Sequence, residues 1–291
     1  MLEPNKKTEA ILRAGKAVIP KSVFRFFQPL YHWLLAWLAA FIYGFPSRSM
    51  KIIGVTGTKG KSTTCYMIAK IFEEQGIAVA IIGSLGYKIN NREWPNTLKM
   101  TMPGRFKLQK FLADARKASV QHLVLEVTSE GIAQYRLEGI SVDCAVFTNL
   151  HKEHIESHGS FQNYMDAKKT LFKKTKNVHI INAENQFTDE FLAIPAKRTV
   201  MFGLKKGDIT QKILGINLKL AGEFNIYNAL AAIAVAHVYG LDFLKAKATV
   251  EAIPRVPGRM EFLEAGQPFD VIIDYAHTPE SLEGAYQTLK P

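Results

Sequence analysis

The chain has 291 residues, 47% hydrophobic and 22% charged, with 37 Lys and Arg against 26 Asp and Glu for a formal charge of +11. That length holds one large α/β domain plus smaller pieces, and the composition excludes a disordered or low-complexity chain. Its two cysteines, Cys65 and Cys144, stand far apart and outside any CxxC spacing, which argues against a disulfide framework or a zinc site and fits a reducing cytoplasm.

The positive charge is concentrated at the start. Residues 1–51 hold eight basic residues against Glu3 and Glu9, which suits phosphates or an anionic membrane surface. Nucleic acid suits it least, because the segment is apolar rather than a solvated basic arm. From Leu30 to Phe45 sixteen residues pass without a formal charge, ended by Pro46. That run is short for a span, which needs roughly 20 apolar residues, and it starts too far in and lacks the small-residue site of a cleaved signal peptide. Three readings stay open: a hydrophobic helix packed on the main domain or on a partner, a true span, or peripheral membrane contact through residues 21–45. The last rests on Trp33 and Trp37 following Lys16, Lys21 and Arg25.

From Lys51 strand and helix signals alternate. Strands are expected at 51–55, 78–82, 122–127 and 143–148, and over the runs HIINA and RTVMF. Helices are expected at 61–75, 106–118, 161–173, 225–239 and 243–252. This alternation predicts a mostly parallel sheet with helices on both faces. After Pro254, Pro257 and Gly258 the pattern restarts with VIIDYAH (271–277) and a helix from Pro279, which reads as the opening of a second α/β domain. The expected division is a basic hydrophobic segment (1–49), a central domain (50–253) and an incomplete unit (254–291).

The strongest local signal is Gly57-Thr58-Lys59-Gly60-Lys61-Ser62-Thr63 between the first strand and first long helix of the central domain. Glycines let backbone N–H groups approach phosphates, and the helix N-terminus adds partial positive charge. Lys61 would reach the terminal phosphates of ATP and Ser62 would offer its hydroxyl to Mg2+. Val55 occupies the first glycine position of the general GxxxxGK[ST] pattern, so the match is incomplete. Glu126 ends an apolar strand and so falls at the C-terminal edge of a parallel sheet, where ligands bind; a strand-end salt bridge is its plainer reading. His154 follows a strand at the same edge, and a solvated loop histidine is the alternative.

Taken together, these residues resemble the Mur ligase family, the ATP-dependent amino-acid ligases of peptidoglycan synthesis, and most of all its UDP-N-acetylmuramoyl-tripeptide synthetase branch. The resemblance rests on GVTGTKGKSTT (54–64), Thr101-Met102-Pro103, LEVTSEG (125–131), FTNLHKEHIESHG (147–159), AKKTLF (167–172), GEFNIYNALAA (222–232), PGRME (257–261) and DYAHTPESLE (274–283), in that order. Met102, Glu130 and Glu153 depart from the family's usual threonine, histidine and aspartate. The resemblance implies a P-loop α/β fold, ATP and Mg2+ as cofactors, and addition of an amino acid to a UDP-muramoyl-peptide through an acyl phosphate. It assigns catalysis to Lys61, Glu126, His154 and Lys168, with Ser62, Glu126, His154 and a carbamoylated Lys168 as metal ligands. Asn225, Asn228, Arg259 and Asp274 join the loop in holding ATP, and Thr101, Thr128, Ser129, Gln134 and Arg136 handle the substrate. Helix capping is the plainer role for the asparagines and a surface site the plainer one for Lys168. The family's longer N-terminal domain and the bulk of its C-terminal domain have no counterpart here, so the expectation is weak MgATP binding and poor ligation by this chain alone, with the remainder supplied by a separate chain or a longer gene. A folylpolyglutamate-synthase-like or cyanophycin-synthetase-like ligase, and a non-catalytic nucleotide-binding module apposed to a membrane, are the alternatives; the expected location is the cytoplasm, at the inner face of the membrane if residues 21–45 touch it.

Overall fold

The structure is a computed structural model that describes residues 21–98, 100–151, 158–276 and 279–289. Its elements open with α1 (Lys21–Ile42), β1 (Lys51–Thr56), α2 (Lys61–Glu74), β2 (Val79–Gly83), β3 (Gly86–Ile89) and β4 (Arg92–Trp94). They continue with α3 (Arg105–Lys117), β5 (His122–Glu126), α4 (Ser129–Ala133), β6 (Cys144–Phe147), α5 (Phe161–Lys174), β7 (Val178–Asn182) and α6 (Thr188–Leu192). The last are β8 (Arg198–Gly203), β9 (Ile209–Thr210), α7 (Gln211–Leu214), α8 (Glu223–Val238), α9 (Phe243–Ala252), β10 (Glu261–Phe262), β11 (Ile272–Ile273) and α10 (Pro279–Leu289).

One sheet runs in the order β4–β3–β2–β5–β1–β6–β7–β8–β9. The strands from β2 to β9 in that order pair in parallel, while β3 and β4 fold back antiparallel at one edge. Successive strand side chains point to opposite faces, so Ile53 and Val55 of β1 enter the core under α2, α8 and α9. Ile52 enters the second core, under α3 and α5. Covering both faces is why these strands read as continuous apolar runs. After β1 the chain moves outward to β2, returns to insert β5, and then extends β6 to β9 on the other side. The C-terminal end of β1 is therefore a topological switch point, the place where open α/β sheets bind ligands.

The sequence signals placed six of the seven parallel strands and the long helices of the central domain within a residue or two, and passed over the two-residue β9. They missed the β3–β4 hairpin, whose Tyr87, Lys88, Glu93 and Trp94 carry no clean apolar alternation. The strand expected over 271–277 is shorter than the apolar run: among the described residues only Ile272 and Ile273 pair, antiparallel to Glu261 and Phe262. A run with a single short neighbour has no ladder to extend along, so the apolar pattern overstated it.

Helix α1 is one 22-residue element with Pro29 inside it. Gly44, left-handed at φ 67, stops it, and Phe45 N donates to Ala40 O at 2.8 Å, which satisfies a terminal carbonyl. Its inward stripe is small: Ala36, Ala39 and Ala40 are buried where α1 packs on α3. Gly139 permits the close approach, since a Cβ there would lie 2.5 Å from Ala40 Cβ. The reading of a helix packed on the main domain is thus met along this face. Among the described residues no helix is long and apolar enough to cross a membrane.

Candidate active site

β1 delivers the chain into the glycine-rich loop at the switch point. Gly57 has no room for a side chain, because a Cβ would lie 1.9 Å from Thr148 Oγ1. Gly60 is left-handed at φ 80 as the residue before α2, and a Cβ on it would lie 2.2 Å from Asn228 Oδ1. The loop is tied to the end of β6. Thr58 N donates to Asn149 O at 2.9 Å, Lys59 N to Asn149 Oδ1 at 2.8 Å, and Thr148 Oγ1 to Lys59 O at 2.7 Å. From the other side Thr58 Oγ1 meets the Tyr164 hydroxyl at 3.0 Å. Val55 is fully buried in β1, so the turn begins after it and the absent first glycine costs nothing geometrically.

Lys61 opens α2 with its Nζ folded back onto Gly57 O at 3.1 Å and Thr58 O at 2.8 Å. Burial pushes its pKa down, Glu126 pulls it up and Arg259 pushes it down again. Ser62 Oγ donates to Glu126 Oε1 at 3.0 Å and lies 2.7 Å from Ser84 Oγ. Glu126 Oε2 accepts from Ser84 N and Ser84 Oγ, both at 2.8 Å. These partners are hydroxyls and an amide, so the salt-bridge reading of Glu126 does not hold. Arg259 Nη2 donates to Ser62 Oγ at 2.8 Å, and its guanidinium sits 4.7 Å from the centre of the Tyr275 ring. Asp274 Oδ2 accepts from Met260 N at 2.7 Å, which fixes the arginine's own segment.

Lys168 is 1% exposed, which removes the surface reading. Its Nζ donates to Gly57 O at 2.7 Å and lies 4.5 Å from the centre of the Tyr164 ring. The neighbouring Lys169 points outward and pairs with Glu190 at 2.6 Å. His154 lies outside the described residues. In the first turns of α8, Asn225 Nδ2 donates to Ala221 O at 2.7 Å, and Asn228 Nδ2 to Asn225 Oδ1 at 3.2 Å. Gly222 occupies the N-cap of α8 without a side-chain cap, so neither asparagine serves there.

Lys61, Ser62, Glu126, Lys168, Asn225, Asn228, Arg259 and Asp274 line one cavity of about 680 Å3, together with Thr101, Thr128 and Ser129, while Gly57 lies behind its wall. Thr128 caps α4 by accepting from Gly131 N at 3.1 Å, and Ser129 Oγ lies 3.0 Å from His158 Nε2. Gln134 and Arg136 are not brought to this wall. Arg136 instead bonds Met102 O and Gln134 Oε1 at 2.7 Å, beside Arg105, which bonds Gln134 O.

The oxygen donors of Ser62 and Glu126, a hydroxyl and a carboxylate on one wall, suit a hard cation such as Mg2+, which takes one or two carboxylates and completes its shell with phosphate oxygens and water. Three residues of the site, Ser84, Asn149 and Tyr164, were not among those expected from sequence. Ser84 follows the Gly83 that ends β2, at the same sheet edge as Glu126, and that position was the available signal. Asn149 lay inside the quoted FTNL run. Tyr164 gave none, because its role depends on α5 crossing beside the loop.

The chain is 34% identical to a UDP-N-acetylmuramyl-tripeptide synthetase of Roseiflexus sp. (strain RS-1), over 88% of this chain and 57% of that protein. It is 36% identical to a UDP-N-acetylmuramoyl-L-alanyl-D-glutamate–2,6-diaminopimelate ligase of Syntrophomonas wolfei, over 87% of this chain and 56% of that protein. A solved structure of a ligase with that same name superposes with a TM-score of 0.68 at 29% identity, covering 82% of this chain and 53% of the other. The chain thus spans little more than half the length of the relatives it matches. The Mur ligase middle domain matches residues 55–236, the segment that contains the glycine-rich loop, Glu126, Lys168 and both asparagines. By that match the chain belongs to the Mur ligase family.

Proposed function

We propose that this chain is the ATP-binding part of an ATP-dependent amide ligase of peptidoglycan precursor synthesis, one that extends a UDP-N-acetylmuramoyl-peptide by an amino acid. The observation that carries the reading is the convergence of Lys61, Ser62, Glu126 and Arg259 at the end of β1, with Ser62 Oγ 3.0 Å from Glu126 and 2.8 Å from Arg259. In the proposed reaction a substrate carboxylate takes the γ-phosphoryl group of ATP, and ADP leaves. An incoming amine then attacks the acyl carbon, forming the amide and releasing phosphate. Two anions meet in the first step, so the residues act chiefly by positioning and by neutralising charge. Lys61 and the loop amides take the β- and γ-phosphates, Arg259 and Asp274 organise the far wall, and Asn225 and Asn228 border the nucleoside. Thr101, Thr128 and Ser129 border the acceptor, with Gln134 and Arg136 behind them. Mg2+ held by Ser62 and Glu126, with His154 and a carbamoylated Lys168 for a second ion, supplies the charge neutralisation that phosphoryl transfer requires. ATP and nucleotide-linked precursors place the reaction in the cytoplasm.

Calorimetry with MgATP, followed by phosphate release in the presence of a muramoyl-dipeptide, a folate or a free peptide acceptor, tests this. Mg2+-dependent ATP binding and a response to the muramoyl acceptor alone are expected. Absence of Mg2+-dependent binding, or a preference for folate, overturns it.

A further inference from the structure

The outward face of α1 takes no part in the active site. Burial of Ala36, Ala39 and Ala40 leaves Phe27, Leu30, Leu34, Leu38, Phe41 and Ile42 exposed at 48–71%, recurring at helical spacing along one side. Trp33 and Trp37 flank that stripe at 41% and 38% exposure, with ring centres 6.1 Å apart. A continuous apolar face of this size on a soluble domain marks a contact site.

Charge identifies the occupant. From Ala10 to Lys51 the chain contains no Asp or Glu but carries Arg13, Lys16, Lys21, Arg25, Arg48 and Lys51. Lys21 and Arg25 lie in the first turns of α1. At its other end are the exposed Arg48, stacked 4.4 Å from the Phe45 ring centre, and Arg116, which donates to Gly44 O at 3.1 Å. Both ends of the apolar face are therefore basic. A second copy docked on this face, parallel or antiparallel, would bring basic ends together, and like-charge juxtaposition opposes such pairing. An anionic lipid surface meets both features, taking apolar and indole side chains at the headgroup boundary and pairing its phosphates with the basic ends.

We infer that α1 is an interfacial anchor that seats this chain on an anionic membrane surface through Leu30, Trp33, Leu34, Trp37, Leu38 and Phe41. The helix lies along the surface rather than through it, in keeping with the absence, among the described residues, of any helix apolar and long enough to span.

The test uses the full chain carrying Trp94→Phe, which leaves Trp33 and Trp37 as the only tryptophans of the three. Co-sedimentation with vesicles of phosphatidylcholine containing phosphatidylglycerol, compared with phosphatidylcholine alone, reads binding, and tryptophan emission reads depth. Binding to the anionic vesicles with a blue shift is expected, weakening as salt rises. The triple variant Leu34→Glu, Leu38→Glu, Phe41→Glu changes only exposed positions and should bind at least about tenfold more weakly, at an unchanged melting temperature. Failure to bind anionic vesicles, equal binding to both vesicle types, or a concentration-dependent dimer abolished by the same substitutions would each overturn the inference. MgATP binding by the same preparation is independent of α1, so its presence or absence judges the ligase reading separately.

Discussion

Ser62 and Glu126 join the first turn of α2 to the last residue of β5, 64 positions apart in sequence, through a 3.0 Å hydrogen bond at the mouth of the loop. Glu126→Gln keeps the size of the side chain and one of its contacts to Ser84 but removes the negative charge a cation needs. The expected result is a loss of about tenfold or more in ATP affinity with Mg2+ present, and a much smaller change without it. Titration calorimetry in magnesium and in chelator separates the two. An equal loss under both conditions would mean that Glu126 only shapes the pocket.

Lys168 and Lys169 are adjacent and should behave differently. Lys169→Ala breaks an exposed ion pair and is expected to cost no more than about 1 kcal/mol. Lys168→Ala removes a buried side chain and leaves Gly57 O without its 2.7 Å donor, which should lower stability by about 1–3 kcal/mol and abolish tight MgATP binding. Peptide mapping of wild-type protein in bicarbonate should find one carbon dioxide adduct, on Lys168 and labile to acid. An adduct on Lys169, or matching melting curves for the two variants, would reverse the assignment.

Legibility in the sequence followed locality. β1, the loop and α2 were readable because their signal is continuous: KIIGV, then glycines that sterics demand, then a helix that follows at once. Glu126 was readable because strand direction alone puts the end of β5 at the ligand edge. Lys168 could not be distinguished from Lys169 by composition or periodicity, since a half-buried helix such as α5 presents both; the family resemblance singled out Lys168, and of the two it is the one the fold buries against the cavity. Gln134 and Arg136 do not line the cavity. Arg136 bonds Met102 O and the Gln134 side chain, and Arg105 of α3 bonds Gln134 O, a local network that only the fold assembles.

Acid should destabilise the fold through His179. The imidazole is fully buried, with Nε2 2.9 Å from Thr175 O and Nδ1 without a partner. Burial lowers its pKa below the usual value of 6.5, against a smaller upward pull from neighbouring carbonyls. A lowered folded-state pKa means that the unfolded chain binds the proton more readily. The stabilising contribution is therefore complete above about pH 6.5 and is lost as pH falls through the lowered folded-state value. Melting temperature should be flat from neutral to mildly alkaline pH and decline on acidification, with a shallower decline in His179→Gln. A rise in melting temperature on acidification would show that His179 is protonated in the fold.

Glu184 holds together the cavity wall that includes Tyr227. Its Oε1 accepts from Lys205 N at 2.7 Å and Lys206 N at 2.9 Å; its Oε2 accepts from Leu204 N at 2.8 Å and the Tyr227 hydroxyl at 2.7 Å. Burial works against ionisation, but the bonds from Tyr227 and the three amides outweigh it and hold the carboxyl below its usual range. One anion thus fixes both the turn after β8 and a tyrosine that lines the cavity. Glu184→Ala frees all four donors, whereas Glu184→Gln retains an acceptor for some of them. ATP affinity should fall about three- to tenfold in the alanine variant, less in the glutamine variant, with the Mg2+ dependence unaltered because Ser62 and Glu126 are untouched. Hydrogen exchange at the amides of 204–206 should accelerate in the same order. Faster exchange with unchanged ATP affinity would show that this turn stabilises the domain without shaping the nucleotide site.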